Sequence, residues 1–304
     1  MRKAMIAVLF LAVLGVGMFW LITEPKTFDA AALGAHAVDA ENGKTMFNAG
    51  GCAACHAIPG GEDRTKLGGG LALKSPFGTF YAPNISSDAK DGIGAWTEAQ
   101  FIAAMKNGVS PRGEHYYPAF PYTSYRLLGV PDLRDLLAHI KTLPAVAGKV
   151  RDHDLPFPFN IRRLLGGWKF LFLGGEPFSA DPRQPAQWSR GAYLVNAAAH
   201  CAECHSPRNF LGAIVTAQRF AGGPNPEGEG FIPNITQRSL KDWSVDDFVQ
   251  FLEFGDKPDM KPILGSMVRV IENTSRLPPE DRNAMAVYLK SLAPIEGPKR
   301  PERK

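Results

Sequence analysis

The sequence predicts a mainly α fold: two tandem, related domains with long loops, behind an N-terminal transmembrane helix. Three observations carry that prediction. The chain opens on an uncharged apolar run, one set of motifs occurs twice, and the segments between motifs show helical periodicity without a convincing strand pattern. The 304 residues suit two domains of ordinary size plus connectors. An apolar content of 45% and a charged content of 21% are those of a globular protein with material for two cores. The net charge of +4 is mild, and no concentrated basic face of the kind a nucleic-acid binder needs is visible.

Residues 1–37 read as an export segment and linker. Arg2 and Lys3 precede the apolar run Ala4–Ile22. A helix crosses a bilayer in roughly 20 residues, so the run is long enough. A cleaved signal has a shorter apolar region, about 7–15 residues, closely followed by a small-x-small site. The nearest such site, Ala35-His36-Ala37, lies well past the run. An uncleaved anchor is therefore favoured over a removed peptide, with the positive residues inside and the rest of the chain exported. Val38 as the first residue of mature protein would remove the anchor.

The repeat divides the remainder into a first domain at 38–149 and a second at 188–296. Cys52-Ala53-Ala54-Cys55-His56 and Cys201-Ala202-Glu203-Cys204-His205 lie 149 residues apart. Each is followed by Pro-Asn-Ile, at 83–85 and 233–235. Next come Trp96 to Phe101 and Trp243 to Phe248, and a glycine twelve residues beyond each Trp, Gly108 and Gly255. Each half closes on an amphipathic segment. Leu133, Leu136, Leu137 and Ile140 recur at helical steps in the first; Met285, Val287, Tyr288 and Leu289 hold the matching place in the second. Asp132 and Asp281 lie near the starts of these helices, where negative charge is favoured. Thr97 and Ser244 are suitable N-caps for a helix after each Trp. Helices are also expected before each cysteine group, around 40–47 and 188–197. The Gly/Pro-rich stretches 60–83 and 221–233 read as loops long enough to need a surface to pack on.

The connector 150–187 holds five prolines and an apolar stretch, Ile161–Leu173, interrupted by Arg162, Arg163 and Lys169. That stretch is too short to span a membrane. A connector helix packed on both domains is the first reading. A membrane-surface or partner contact through Trp168, Phe170 and Phe172 is the second. Residues 297–304 form a basic tail with Lys299, Arg300, Arg303 and Lys304.

Cys-x-x-Cys-His has a direct physical reason. Two thiols add to the two vinyl groups of a haem, and the next residue supplies the proximal imidazole. A redox dithiol needs no following His and usually sits on a βαβ unit. A zinc site needs four ligands close in space. The His follows both pairs and no cysteine is left over, so two covalently bound haem c groups are predicted. Cys52, Cys55 and His56 would hold one, and Cys201, Cys204 and His205 the other. Met267, 24 residues after Trp243, is the candidate distal thioether of the second; Met260 is less suited because Lys261-Pro262 follow it. The matching position in the first half is Phe120, which cannot ligate iron. Three readings of the first site stay open: His115 as distal ligand, Met105 from the helix after Trp96, or a five-coordinate site closed by Phe120. His36, His139, His153 and His200 read as surface or structural residues, and Trp96 and Trp243 either as pocket-lining or as core residues, with core favoured. The Asn of each Pro-Asn-Ile triplet reads either as a contact to the haem edge or as a turn residue.

Several stretches resemble a known family. Pro76-Phe77-Gly78-Thr79-Phe80-Tyr81-Ala82-Pro83-Asn84-Ile85, Gly92-Ile93-Gly94-Ala95-Trp96, Tyr117-Pro118-Ala119-Phe120-Pro121-Tyr122 and Leu155-Pro156-Phe157-Pro158-Phe159-Asn160 are similar to the first haem domain of the cytochrome c subunits of bacterial membrane-bound dehydrogenases, including those for alcohol and gluconate. Arg190-Gly191-Ala192-Tyr193-Leu194-Val195, Cys204-His205-Ser206-Pro207-Arg208 and Asn273-Thr274-Ser275 are similar to the second. The resemblance covers about residues 40–295. It implies class I cytochrome c-like domains, with His56 and His205 as proximal ligands and Met267 as a distal one. It also implies electron transfer on the periplasmic side of the inner membrane. A dehydrogenase catalytic subunit would be the donor, and quinone, another cytochrome or a terminal oxidase the acceptor. Two departures stand out: those subunits commonly have three haem domains, and many carry Met where this chain has Phe120. Two other functions are weighed, an enzyme of dihaem peroxidase type using an open first haem, and a freestanding periplasmic shuttle. No Rossmann fingerprint and no nucleophile–base constellation is visible, and Gly68-Gly69-Gly70 reads as a loop run. An electron-transfer protein, not an enzyme, is the expectation.

Overall fold

The computed structural model describes residues 1–228 and 230–300; the end of the basic tail, with Arg303 and Lys304, lies outside the described residues. α1 (Arg2–Ile22) is one unbroken helix. None of its residues is buried, and among the described residues it is the one helix long and apolar enough to cross a membrane.

Asp39 caps α2 (Ala40–Ala49) by accepting from the Asn42 N–H. α3 (Cys52–His56) carries the first cysteine motif. β1 (Ala72–Ser75) and β2 (Gly78–Tyr81) pair antiparallel, with Ala72 opposite Tyr81. α4 (Glu98–Asn107) begins at the predicted cap. The Thr97 hydroxyl accepts from Gln100 N–H, and the Gln100 side chain takes Thr97 N–H in return. α5 (Tyr122–Tyr125) is a single turn, and α6 (Val130–Thr142) buries Leu133, Leu136, Leu137 and Ile140, the face their spacing predicts.

α7 (Leu164–Phe172) is shorter than the apolar stretch that predicts it. α8 (Ala186–Tyr193) continues through a π-helical turn, Leu194–Ala198, and α9 (Ala202–His205) carries the second cysteine motif. β3 (Gly223–Pro224) pairs with β4 (Phe231–Ile232). α10 (Gln237–Leu240), α11 (Val245–Phe254), α12 (Ser266–Thr274) and α13 (Pro279–Lys290) complete the chain, and Ser244 and Asp247 form the same reciprocal cap on α11 that Thr97 and Gln100 form on α4.

The two hairpins correct the strand-free expectation. Strands of four and two residues are too short for a period of two to stand out in sequence, and Pro76-Phe77 is not an Asn-Gly-type turn signal.

α2 packs across α6, and α8 across α13. Glycine permits both crossings. A Cβ at Gly43 would stand 2.2 Å from the Asp135 carbonyl oxygen, and one at Gly191 only 1.9 Å from that of Ala284. One apolar core runs through both halves, from Met46, Phe47, Leu133 and Ile140 to Leu194, Val195, Met285 and Leu289. α7 touches both halves. Its Trp168 ring meets the Tyr122 ring edge-on at 6.4 Å, and its Nε1 donates to Leu211 O at 2.9 Å.

Candidate haem sites

Each motif pairs two half-buried, free thiols with a histidine whose orientation is set by a distant backbone carbonyl. His56 Nδ1 lies 2.8 Å from Pro83 O, and His205 Nδ1 lies 2.8 Å from Pro233 O. A carbonyl only accepts, so each Nδ1 carries the proton and each Nε2 keeps its lone pair. Burial lowers the pKa of both rings against the opposing pull of these hydrogen bonds, which favours neutral imidazole. A neutral imidazole oriented through its second nitrogen is the form that ligates a metal.

The repeated Pro-Asn-Ile triplet is therefore part of the site, through its proline carbonyl. Its asparagine plays the turn role. Asn84 Oδ1 accepts from Ser86 N–H while Nδ2 donates to Val146 O and Gly148 O. Asn234 Oδ1 accepts from Thr236 N–H while Nδ2 donates to Ile295 O. A glycine closes each arrangement. The Gly69 N–H donates to His56 O and the Gly222 N–H to His205 O, both at 2.8 Å. Both glycines have φ of +73°, and a Cβ would stand 2.5 Å from Pro83 O at Gly69 and 2.6 Å from Asn234 N at Gly222. No residue but glycine fits. Gly69 thus has a defined role that its reading as a loop residue missed; the signal available was Gly222 in the matching stretch of the second half.

Burial pushes the Cys52 and Cys204 thiols up to about 12 and Cys201 to about 11, and raises Cys55 as well. Redox dithiols are tuned in the opposite direction. No group of three or more His, Cys, Asp and Glu that could hold a metal ion occurs among the described residues, so neither motif has gathered a zinc-type donor set. Two thiols and one oriented neutral imidazole per motif fit covalent attachment of haem with a proximal nitrogen.

The distal candidates sit in different settings. Met267 sits half-buried in the first turn of α12, whereas Met260 is 88% exposed. Met105 is a core residue of α4. Phe120 is half-buried among Tyr116, Tyr122 and Tyr125, with ring centroids 5.9, 6.3 and 5.6 Å away. His115 does not have the free nitrogen that a distal ligand requires. Its Nε2 lies 2.9 Å from Thr23 O and its Nδ1 lies 3.1 Å from Lys169 Nζ, so both ring nitrogens are engaged, one at the end of α1 and one by α7. Lys169 is itself buried and pushed down to about 7 by that burial, and its ammonium also donates to Asn107 O and Gly108 O.

The two motifs are neighbours in space. Glu203, inside the second motif, is buried and accepts from the Thr123 and Ser124 hydroxyls of the first half, the latter at 2.9 Å, while Arg208 pairs with it at 2.8 Å. Burial alone would raise the Glu203 carboxyl, but Arg208 and the two hydroxyls hold it below the usual value. Tyr125 OH donates to Gly50 O, beside the first motif, and the Tyr125 ring meets His200, beside the second, at 5.5 Å. In return α12, which begins at Met267's turn, packs on α2 and α3. The segment after Phe120 thus covers the second motif, and the segment after Met267 covers the first. Sequence reading missed this exchange. The one available signal was Glu203, a charged residue where the first motif has Ala54.

A profile of the cytochrome c family matches residues 40–144. The chain is 46% identical over 299 residues to a protein named diheme cytochrome c-type from Cereibacter sphaeroides, covering 97% of this chain and 100% of that one. It is 37% identical over 295 residues to the fructose dehydrogenase cytochrome subunit of Gluconobacter japonicus, covering 95% of this chain, and 40% identical over 253 residues to a nicotinate dehydrogenase subunit of Pseudomonas putida, covering 83%. The chain spans 58% and 21% of the lengths of those two. Alignment end to end with the first of these relatives, together with the family match over the first motif, shows that this chain belongs to the family of dihaem c-type cytochromes.

Proposed function

We propose that the chain is an electron carrier with one covalently attached haem c in a class I cytochrome c-like domain at 38–149 and a second in another at 188–296. The observation that carries this reading is the repeated unit of two free thiols and a histidine pinned through Nδ1 by a proline carbonyl. Cys52 and Cys55 hold one haem and Cys201 and Cys204 the other, with His56 and His205 as proximal ligands. Met267 is the distal ligand of the second. The first site has Phe120 at the matching place, and with His115 engaged elsewhere the two sites differ in coordination. Haem supplies the one-electron chemistry when bound; the chain supplies attachment, orientation and a buried setting. The contact between the motifs supports electron exchange between the halves.

The relatives are named as a diheme cytochrome c, a dehydrogenase cytochrome subunit and a dehydrogenase subunit, which favours an electron carrier over a peroxidase. A dehydrogenase catalytic subunit is the proposed donor, and quinone, another cytochrome or a terminal oxidase the acceptor. α1 is the proposed anchor, with the remainder on the periplasmic side of the inner membrane.

Haem staining of the denatured chain tests attachment. The double variants Cys52→Ala/Cys55→Ala and Cys201→Ala/Cys204→Ala should each keep one haem, and the quadruple variant none. Full haem content in either double variant would overturn the proposal. Met267→Ala should turn one haem high-spin and lower its potential, because loss of the thioether removes the ligand that raises it.

A further inference from the structure

α7 and the loops beside it carry an apolar surface that the electron-carrier reading does not use. Phe157, Phe159, Leu164, Phe170, Leu171 and Phe210 are between 42% and 88% exposed. They belong to one region. Phe159 meets the ring of Phe77 at 5.1 Å, and Phe77 lies against Gly212 in the turn that bears Phe210. Trp168 of α7 holds that same turn through Leu211 O. Isolated exposed apolar residues are ordinary, but a contiguous group of large ones marks an interaction surface.

The place of this surface identifies its occupant. α7 is also docked on the last turn of α1, through the face that bears Arg163, Gly166 and Phe170. A Cβ at Gly166 would stand 2.5 Å from Thr23 Cβ, and Thr23 is fully buried. Arg163 Nε donates to Thr23 Oγ1 at 2.8 Å, and its guanidinium lies over the Trp20 ring at 4.3 Å. Tryptophan and arginine at the end of an apolar helix mark the level of lipid head groups. α7 therefore lies where α1 leaves the bilayer.

We propose that α7 and the loops bearing Phe157 and Phe210 form a platform that rests in the interfacial layer of the leaflet from which α1 emerges, as an amphipathic surface helix does. The platform rests on the reading of α1 as a spanning anchor. It fixes the tilt of the two haem-bearing halves on the membrane, so that they are held to the surface at a second point instead of swinging on one linker.

Photocrosslinking of the full haem-loaded chain in its native membrane tests this. p-Benzoylphenylalanine is placed in turn at Leu11 in α1, at Phe157, at Phe170 and at Phe210. The control is Phe254, also exposed but on α11, which packs with α12 and α13. After illumination, phospholipid-mass adducts are expected at Leu11, Phe157, Phe170 and Phe210 and not at Phe254. Lipid adducts at Leu11 with none at Phe157, Phe170 and Phe210 would overturn the platform and leave the anchor standing. Protein adducts at the platform positions would overturn it in favour of a docking face for a partner or a second copy. Absence of lipid at Leu11 would overturn the anchor reading itself.

Discussion

At the scale of single residues, the haem sites depend on groups that carry no redox chemistry. His56 and His205 are aimed by Pro83 O and Pro233 O, and those carbonyls hold position only because Gly69 and Gly222 leave room behind them. Gly222→Ala should therefore disturb the second site alone. The expected outcome is loss or spectral change of one haem with the other intact, read by haem staining and difference spectra; an unchanged second haem would show that the loop relaxes at no cost. Asp135 does comparable work for the linker. It is buried on α6 and accepts from Asn42 Nδ2 at 2.8 Å, from Asp39 N–H at 3.0 Å, and meets His36 Nε2 at 2.6 Å. Burial alone would raise its carboxyl, but these partners hold it below the ordinary 3.8. The folded value lies below the unfolded one, so the stabilisation is complete above pH 3.8 and is lost as pH falls through the folded value. Asp135→Ala strands those donors and should cost about 1–3 kcal/mol at neutral pH. Denaturant unfolding at pH 7 and in acid checks both the loss and its disappearance at low pH.

Elements were legible in the sequence in proportion to their length and regularity. The four-residue and three-residue steps of Leu133, Leu136, Leu137 and Ile140 mark α6, and Thr97 and Ser244 mark the starts of α4 and α11, because capping and periodicity are local properties of the chain. The cysteine motifs were legible because covalent attachment demands fixed spacing. What lay outside reach was contact between distant segments. Nothing local to Gly43 or Gly191 announces that another helix backbone passes against each of them, and nothing local to His115 announces that Thr23 and Lys169 occupy its ring. The glycine crossings give a clean test of the packing. Gly43→Ala and Gly191→Ala each force a methyl into a backbone carbonyl, and overpacking of this kind costs about 1–3 kcal/mol. A loss of that order in urea is expected for each variant, with Ala at Gly51, where the nearest atom to an added Cβ is 3.9 Å away but φ is +57°, costing only the backbone strain. Equal and negligible effects at Gly43 and Gly191 would mean that α2–α6 and α8–α13 are not so closely crossed.

On the scale of the whole molecule, the halves are cross-covered instead of merely linked. The first half supplies Thr123, Ser124 and Tyr125 to the second motif, and the second half supplies α12 to the first. Tethered domains that meet across a small polar interface move independently as a rule, yet here one apolar core is continuous between them. Glu203 is the polar hinge-pin of that junction. Its carboxylate joins two hydroxyls of the first half to Arg208 of the second, and all of these groups are wholly or largely withdrawn from water. Removing the carboxylate strands the two hydroxyls and unpairs Arg208, which is partly exposed and keeps the Gly212 and Glu203 carbonyls as acceptors, a cost of about 1–3 kcal/mol. Glu203→Ala should therefore do more than lower stability. Wild-type protein should unfold in one cooperative transition, since neither half can open without exposing the cover of the other. In Glu203→Ala the junction opens first, and two transitions should appear in denaturant, followed separately through the absorbance of each haem. Glu203→Gln keeps an acceptor for the hydroxyls and loses only the ion pair, so it should lower the midpoint without splitting it. A single transition in Glu203→Ala, or a split already present in the wild type, would show that the continuous apolar core, or the linker alone, governs how the halves hold together.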